Sequence, residues 1–104
     1  MGEMDQDLAA KHERGVRRVI GAVEEIVDFP EDVRIMVALH GQHIFVELET
    51  NPQDVGVVVG RAGHVVSSLR SLLSVYAGKH RMKMVFDYLT DIEQARPRGA
   101  RDQQ

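Results

Sequence analysis

The chain has 104 residues, 43% of them hydrophobic, with a net charge of -3 and no cysteine. That is one domain's worth of core, too apolar for a disordered chain and too short for two cores, and the missing cysteine excludes disulfides and thiolate metal sites. No apolar run reaches the roughly 20 residues of a membrane-spanning helix, and Met1-Gly2-Glu3-Met4-Asp5 lacks the basic and apolar regions of a secretory signal, so the expectation is a cytoplasmic protein with no membrane partner.

The charge is unevenly spread. Residues 1–31 hold eight acids and four bases, and residues 32–50 hold three acids and one base. Residues 51–90 reverse the balance, with two acids (Asp54, Asp87) against five bases (Arg61, Arg70, Lys79, Arg81, Lys83). A polyanion would therefore be met by this second half, although five bases over forty residues also fit an ordinary solvated face.

In chain order, residues 1–6 are expected to be a flexible lead. Residues 8–27 read as one amphipathic helix, with Val16, Val19, Ile20, Val23 and Val27 on a single stripe and Asp5 or Asp7 as its cap. Gly15 and Gly21 each weaken it by roughly 1 kcal/mol relative to Ala, and Phe29-Pro30 ends it. Val33, Ile35, Val37 and Leu39 then alternate with Arg34, Met36, Ala38 and His40. After Gly41-Gln42 the alternation resumes, with Ile44, Val46 and Leu48 on one face and His43, Phe45, Glu47 and Glu49 on the other. This is a hairpin with glycine at its first turn position.

Asn51-Pro52-Gln53-Asp54 offers a cap residue, a proline at the first helical position and a first-turn acid, so a short helix to Val59 is expected. Val55-Gly56-Val57-Val58-Val59 by itself prefers a strand. Were it one, Gly60 would open a phosphate-binding turn and point to a mononucleotide site instead. From about His64 to Ala77, Val65, Val66, Leu69, Leu72 and Leu73 recur at helical spacing, with Gly78 as the residue just past the end. Lys79, His80 and Arg81 form a short basic connection to a last strand, residues 82–89. Two helices between two strands imply that those strands run parallel, giving an α+β fold of order αββααβ with a mixed three-stranded sheet and helices packed on one face. Residues 7–90 make the domain, and residues 91–104, whose last nine carry nothing apolar enough to anchor an element, are expected to be a disordered tail.

The residues Val59-Gly60-Arg61-Ala62-Gly63 followed by an apolar-periodic helix bring chemistry with them. The first amides of that helix lack partners inside it, and the glycines let another chain approach. An anion is favoured there by those amides, the helix dipole and Arg61. Apolar-Gly-x-x-Gly before such a helix resembles the signature loop of the K-homology (KH) domain, and the element order is similar to its bacterial, type II arrangement. The chain length, residues 23–33 and the approach over residues 54–60 resemble the KhpA family of small bacterial single-KH proteins.

The resemblance implies a non-catalytic binder of single-stranded RNA, an RNA chaperone or post-transcriptional regulator whose loop clamps about four nucleotides. Gly60, Arg61, Ala62, Gly63, His64, Arg70, Lys79 and Arg81 would contact the RNA, with Lys79 to Arg81 as the opposite rim. Ile44, Val57, Val58 and Val65 would line the groove beneath the bases. Each of those four fits plain core better than a groove wall. It also implies pairing, as a homodimer or with a larger KH-containing protein, and the face carrying Met36 and Phe45 is the exposed candidate. Where the family carries bases, this chain has His64 and Ser67, so a protein-interaction module with vestigial RNA binding is the alternative. No cofactor, metal or catalytic set is expected. His12, His40, His43, His64 and His80 have no ligand spacing beyond the His40/His43 pair, and residues 60–63 lack the lysine and hydroxyl of a P-loop.

Overall fold

A computed structural model describes residues 2–89, and the side chains from Asp7 onward. The elements are α1 (Gly2–Ile20), α2 (Val23–Ile26), β1 (Arg34–His40), β2 (His43–Glu49), α3 (Val55–Val59), α4 (His64–Lys79) and β3 (Lys83–Tyr88), with single 3-10 turns at Pro30–Asp32, Pro52–Asp54 and Arg61–Gly63. The tail expected over residues 91–104 lies outside the described residues.

Alternation in β1 and β2 fixes their register, since a slip of one residue would turn every apolar side chain to water. The pairs Ile35↔Leu48, Val37↔Val46 and Leu39↔Ile44 form, closed by Gly41 at φ 58°. The helical crossover returns β3 parallel to β2 in the order β1-β2-β3, as expected. Val16, Ile20, Val23, Val58, Leu69 and Leu73 of the helices close over Ile35, Ile44, Val46, Leu48 and Phe86 to form the core. Burial of these side chains, each worth roughly 1.5–3 kcal/mol when complete, is what holds helices that glycine and valine would otherwise leave weak. The other sheet face keeps Met36, Phe45 and Val85 exposed.

The single helix expected over residues 8–27 is a correction. The helix starts earlier, at Gly2, so Asp5 and Asp7 lie within it and not at its cap, and it breaks at Gly21-Ala22 before α2. At Gly21 the chain folds back until a side chain there would stand 2.8 Å from the Arg17 carbonyl oxygen. The end of α4 is a second correction. The helix passes through Gly78 to Lys79, and the left-handed residue that stops it is Arg81, at φ 59°. The amides of Met82 and Arg81 bond back to the carbonyls of Ala77 (2.8 Å) and Gly78 (3.0 Å), the bond pair of a Schellman motif.

Candidate nucleic-acid interface

Asn51 caps the 3-10 turn that leads into α3, its Oδ1 accepting from the Gln53 amide at 2.8 Å across Pro52. Asp54 is not a mere first-turn acid. It is 1% exposed, and its two carboxylate oxygens accept the amides of Asp28 (2.9 Å) and Phe29 (3.1 Å). Asn51 reaches Asp32 through Nδ2 at 2.9 Å, and the hydroxyls of Thr50 and Tyr88 meet at 2.6 Å. These bonds tie the entry of α3 to the chain before β1 and to the sheet, so the helix pair that carries the glycine loop has a fixed base.

The loop itself has the conformation that its sequence demands. Gly60 sits at φ 76°, ψ 175°, a region essentially restricted to glycine. A side chain there would stand 3.0 Å from the Val65 amide nitrogen and closer still to that residue's own side chain. Ala62 (φ 56°) and Gly63 (φ 75°) follow in left-handed conformations, and around Gly63 there is open space. The amides of Gly60, Gly63 and His64 bond to the carbonyls of Gly56, Gly60 and Arg61. Those of Arg61 and Ala62 bond to no carbonyl among the described residues, and both residues are exposed. Two free amides, a flexible cation and the start of a 16-residue helix thus share one exposed corner.

The other expected contact residues fall in different places. His64 is exposed at the head of α4. Arg70, two turns on, is committed: Nη1 donates to the Phe86 carbonyl at 2.7 Å and the guanidinium stands 5.3 Å from that ring's centroid. The Lys83 and Leu89 amides bond to the carbonyls of Gln42, just before β2, and of Leu48 within it, so by strand alternation the even-numbered backbone groups of β3 face its open edge. Arg70 thus caps one edge carbonyl. Lys79 and Arg81 are exposed at the far end of α4, about 22 Å from the loop by the rise of the helix. They form no common patch with Arg61. Of the four apolar residues expected in the groove wall, Ile44 and Val58 are 0% exposed and belong to the core, whereas Val57 is 45% exposed and Val65 half-buried against Gly60.

A cluster that the sequence did not reveal joins α1 to α4. His12, 2% exposed, holds the Tyr76 hydroxyl at 2.8 Å through Nδ1, and His80 packs on both rings, with centroids 4.9 Å and 4.6 Å away. Tyr76 occupies the space over Gly15, where a side chain would overlap its ring. Burial first, then the charges of His80 and Lys11, lower the pKa of His12 from its ordinary 6.5. Burial, then Lys11 and Lys79, lower that of His80. Spacing along one helix could not show this seam, because its members lie 64 residues apart.

With α1 and α2 counted as one helix broken at Gly21-Ala22, the αββααβ order, the mixed sheet and the glycine-flanked turn between two helices define a type II KH domain. Residues 16–87 match the model of the KhpA/KhpB KH-domain family, and the chain belongs to that family. Among curated relatives it is similar to the RNA-binding protein KhpA of Clostridium perfringens, 32% identical over 66 residues that cover 64% of this chain and 88% of that protein. It is likewise similar to RNA-binding protein KhpA of Leifsonia xyli (36% over 62 residues, 60% and 82% covered) and of Mycobacterium leprae (37% over 65 residues, 59% and 81% covered). No solved structure matches the chain significantly.

Proposed function

We propose that this protein binds single-stranded RNA without catalysis, holding the sugar-phosphate backbone at residues 60–63. The observation that carries the reading is the pair of exposed, unbonded amides of Arg61 and Ala62 at the head of α4. The names of the relatives, RNA-binding protein KhpA, support it. A backbone phosphate accepts from those two amides and from Arg61, the glycines leave room for the strand, and Val57 and Val65 offer apolar surface beside it. His64 and Arg70 extend the contact along α4. Lys79 and Arg81 meet only a strand long enough to run the length of that helix. The protein acts as an RNA chaperone or post-transcriptional regulator in the cytoplasm. It works as a pair, with a second copy or a larger KH-containing protein, because two weak sites on one RNA gain from avidity.

Binding is expected to be weak and only modestly salt-dependent. If Arg61, Arg70, Lys79 and Arg81 each neutralise one phosphate, the logarithmic salt slope is no steeper than about -3 for a single strand. The test is the double substitution Arg61→Asp with Ala62→Asp, checked for an unchanged circular dichroism spectrum and titrated with short single-stranded RNA by fluorescence anisotropy. A loss of tenfold or more is expected, and unchanged affinity removes the loop from the mechanism.

One observation favours a second reading, a protein-interaction module with vestigial RNA binding: Arg70 is engaged with Phe86, and His64 and Ser67 stand where the family carries bases. That reading predicts no RNA binding by either form and the same self-association by both.

A further inference from the structure

Arg70 is held in place without being neutralised. It is an exposed residue of α4, yet its Nη1 donates to the Phe86 carbonyl at 2.7 Å and its guanidinium lies 5.3 Å from that ring's centroid. Among the described residues the ion pair is Arg17 with Glu13, so no carboxylate meets the Arg70 charge. A guanidinium carries a fixed fork of N–H donors, and Arg70 spends a single one of them within the described residues. The others remain available at the open edge of β3. Arg61, exposed at the loop, is the opposite case, a long side chain that nothing in the described residues holds. Contacts to RNA divide in the same way. Phosphate contacts set position and tolerate an unanchored cation, whereas a base edge is read by donors held in fixed places.

We propose that Arg70 is the base-reading residue of this site and that it selects guanine. The inference rests on the RNA-binding reading above and adds its specificity. Arg70 lies six positions beyond His64, about 9 Å along the helix, and the Cβ atoms of a helix lean toward its N-terminus, here the loop. That span suits one nucleotide whose phosphate is held by the Arg61 and Ala62 amides and whose base lies against α4. Val66, half-buried and one turn before Arg70 on the same stripe, offers that base an apolar surface.

Guanine presents two adjacent acceptors, O6 and N7, to which an arginine fork bonds in parallel. Adenine sets an amino donor where O6 would be, so a guanidinium facing it meets a donor and keeps an N–H unpaired. The bond to Phe86 serves this choice twice. It holds the fork in place before RNA arrives, so less side-chain freedom is lost on contact. It also covers an edge carbonyl that would otherwise accept the adenine amino group, which removes a contact favouring the wrong base.

Fluorescence anisotropy of the full chain with short oligouridines that differ only in one central base tests the inference. The RNA carrying guanosine is expected to bind about fivefold or more tighter than the one carrying adenosine. Inosine, which keeps O6 and N7, is expected to match guanosine, and 7-deazaguanosine, which lacks N7, to fall between guanosine and adenosine. Arg70→Lys keeps the charge and removes the fork, while Arg70→Met removes both. With circular dichroism unchanged, each is expected to shrink the guanosine preference below about twofold. Equal binding of the guanosine and adenosine RNAs by the parent overturns the inference and leaves the loop reading standing. A loss on substitution that falls on both RNAs alike makes Arg70 a phosphate contact or a strand cap and also overturns it. Where Arg70→Met loses its fold, the base analogues on the parent and Arg70→Lys decide. A parent that binds no RNA ends the reading above together with this inference.

Discussion

Gly60 and Gly63 bracket the same loop under different constraints. At Gly60 both the backbone region and the space are closed to a side chain, because Val65 packs directly on it. At Gly63 only the positive φ disfavours other residues, and nothing stands within 4 Å. Gly60→Ala is therefore expected to cost about 2–3 kcal/mol, combining backbone strain with displacement of Val65, and Gly63→Ala about 1 kcal/mol. Urea denaturation reads both, and equal costs would mean that the close approach of α3 to α4 at Gly60 contributes nothing. Function divides them the other way. The open space at Gly63 is where a nucleotide strand would approach, so Gly63→Ala is expected to lose more RNA affinity than stability. Asp54 gives a third residue-scale outcome. Asp54→Ala strips the Asp28 and Phe29 amides of their acceptors and is expected to cost about 2–3 kcal/mol in the same assay.

At the scale of elements, α4 ends on a residue poorly suited to its position. Arg81 holds the left-handed conformation that glycine adopts without penalty, while Gly78, an exposed helical residue with no neighbour over its α-carbon, is where alanine fits better. Arg81→Gly and Gly78→Ala are each expected to stabilise the fold by about 0.5–1 kcal/mol, several degrees in the thermal midpoint of a domain this size. A fall in midpoint for Arg81→Gly would mean that its side chain contributes more than its backbone costs. The same helix shows what sequence could reveal. The hairpin, the short α3 and the start of α4 were legible because alternation, the Asn51-Pro52 cap and the paired glycines are local signals. The break at Gly21, the anchoring by Asp54 and the capping of the Phe86 carbonyl by Arg70 depend on partners 4, 26 and 16 positions away. Of these, only the first lies within reach of a pattern, and there the apolar stripe continuing through Val23 and Val27 concealed the bend. The groove wall failed for a related reason: β-branched residues at 57, 58 and 65 look alike in sequence, and only packing separates buried Val58 from exposed Val57.

For the whole molecule, the seam between α1 and α4 makes stability depend on pH. His12 and His80 both have folded-state pKa values below the ordinary 6.5, chiefly through burial, with Lys11 facing both, His80 facing His12, and Lys79 beside His80. The Tyr76 hydroxyl bonded to His12 stays protonated throughout this range, since burial raises its own pKa. Neutral imidazoles are thus the folded form. As pH falls through about 6.5, the unfolded chain takes up protons that the folded chain does not, and by linkage the stability must fall. It is fully present above the unfolded pKa, declines across the window between the two values and levels off once the folded histidines are also protonated. A series of urea midpoints from pH 7.5 to 5.0 is expected to drop on the acid side. His12→Phe, which keeps a ring against Tyr76 and removes the titrating group, is expected to flatten that drop while lowering stability at pH 7.5 through loss of the hydrogen bond. A midpoint constant down to pH 5.0 in the parent would show that α1 is not held to α4 by uncharged histidines, because charging them in place would then cost nothing.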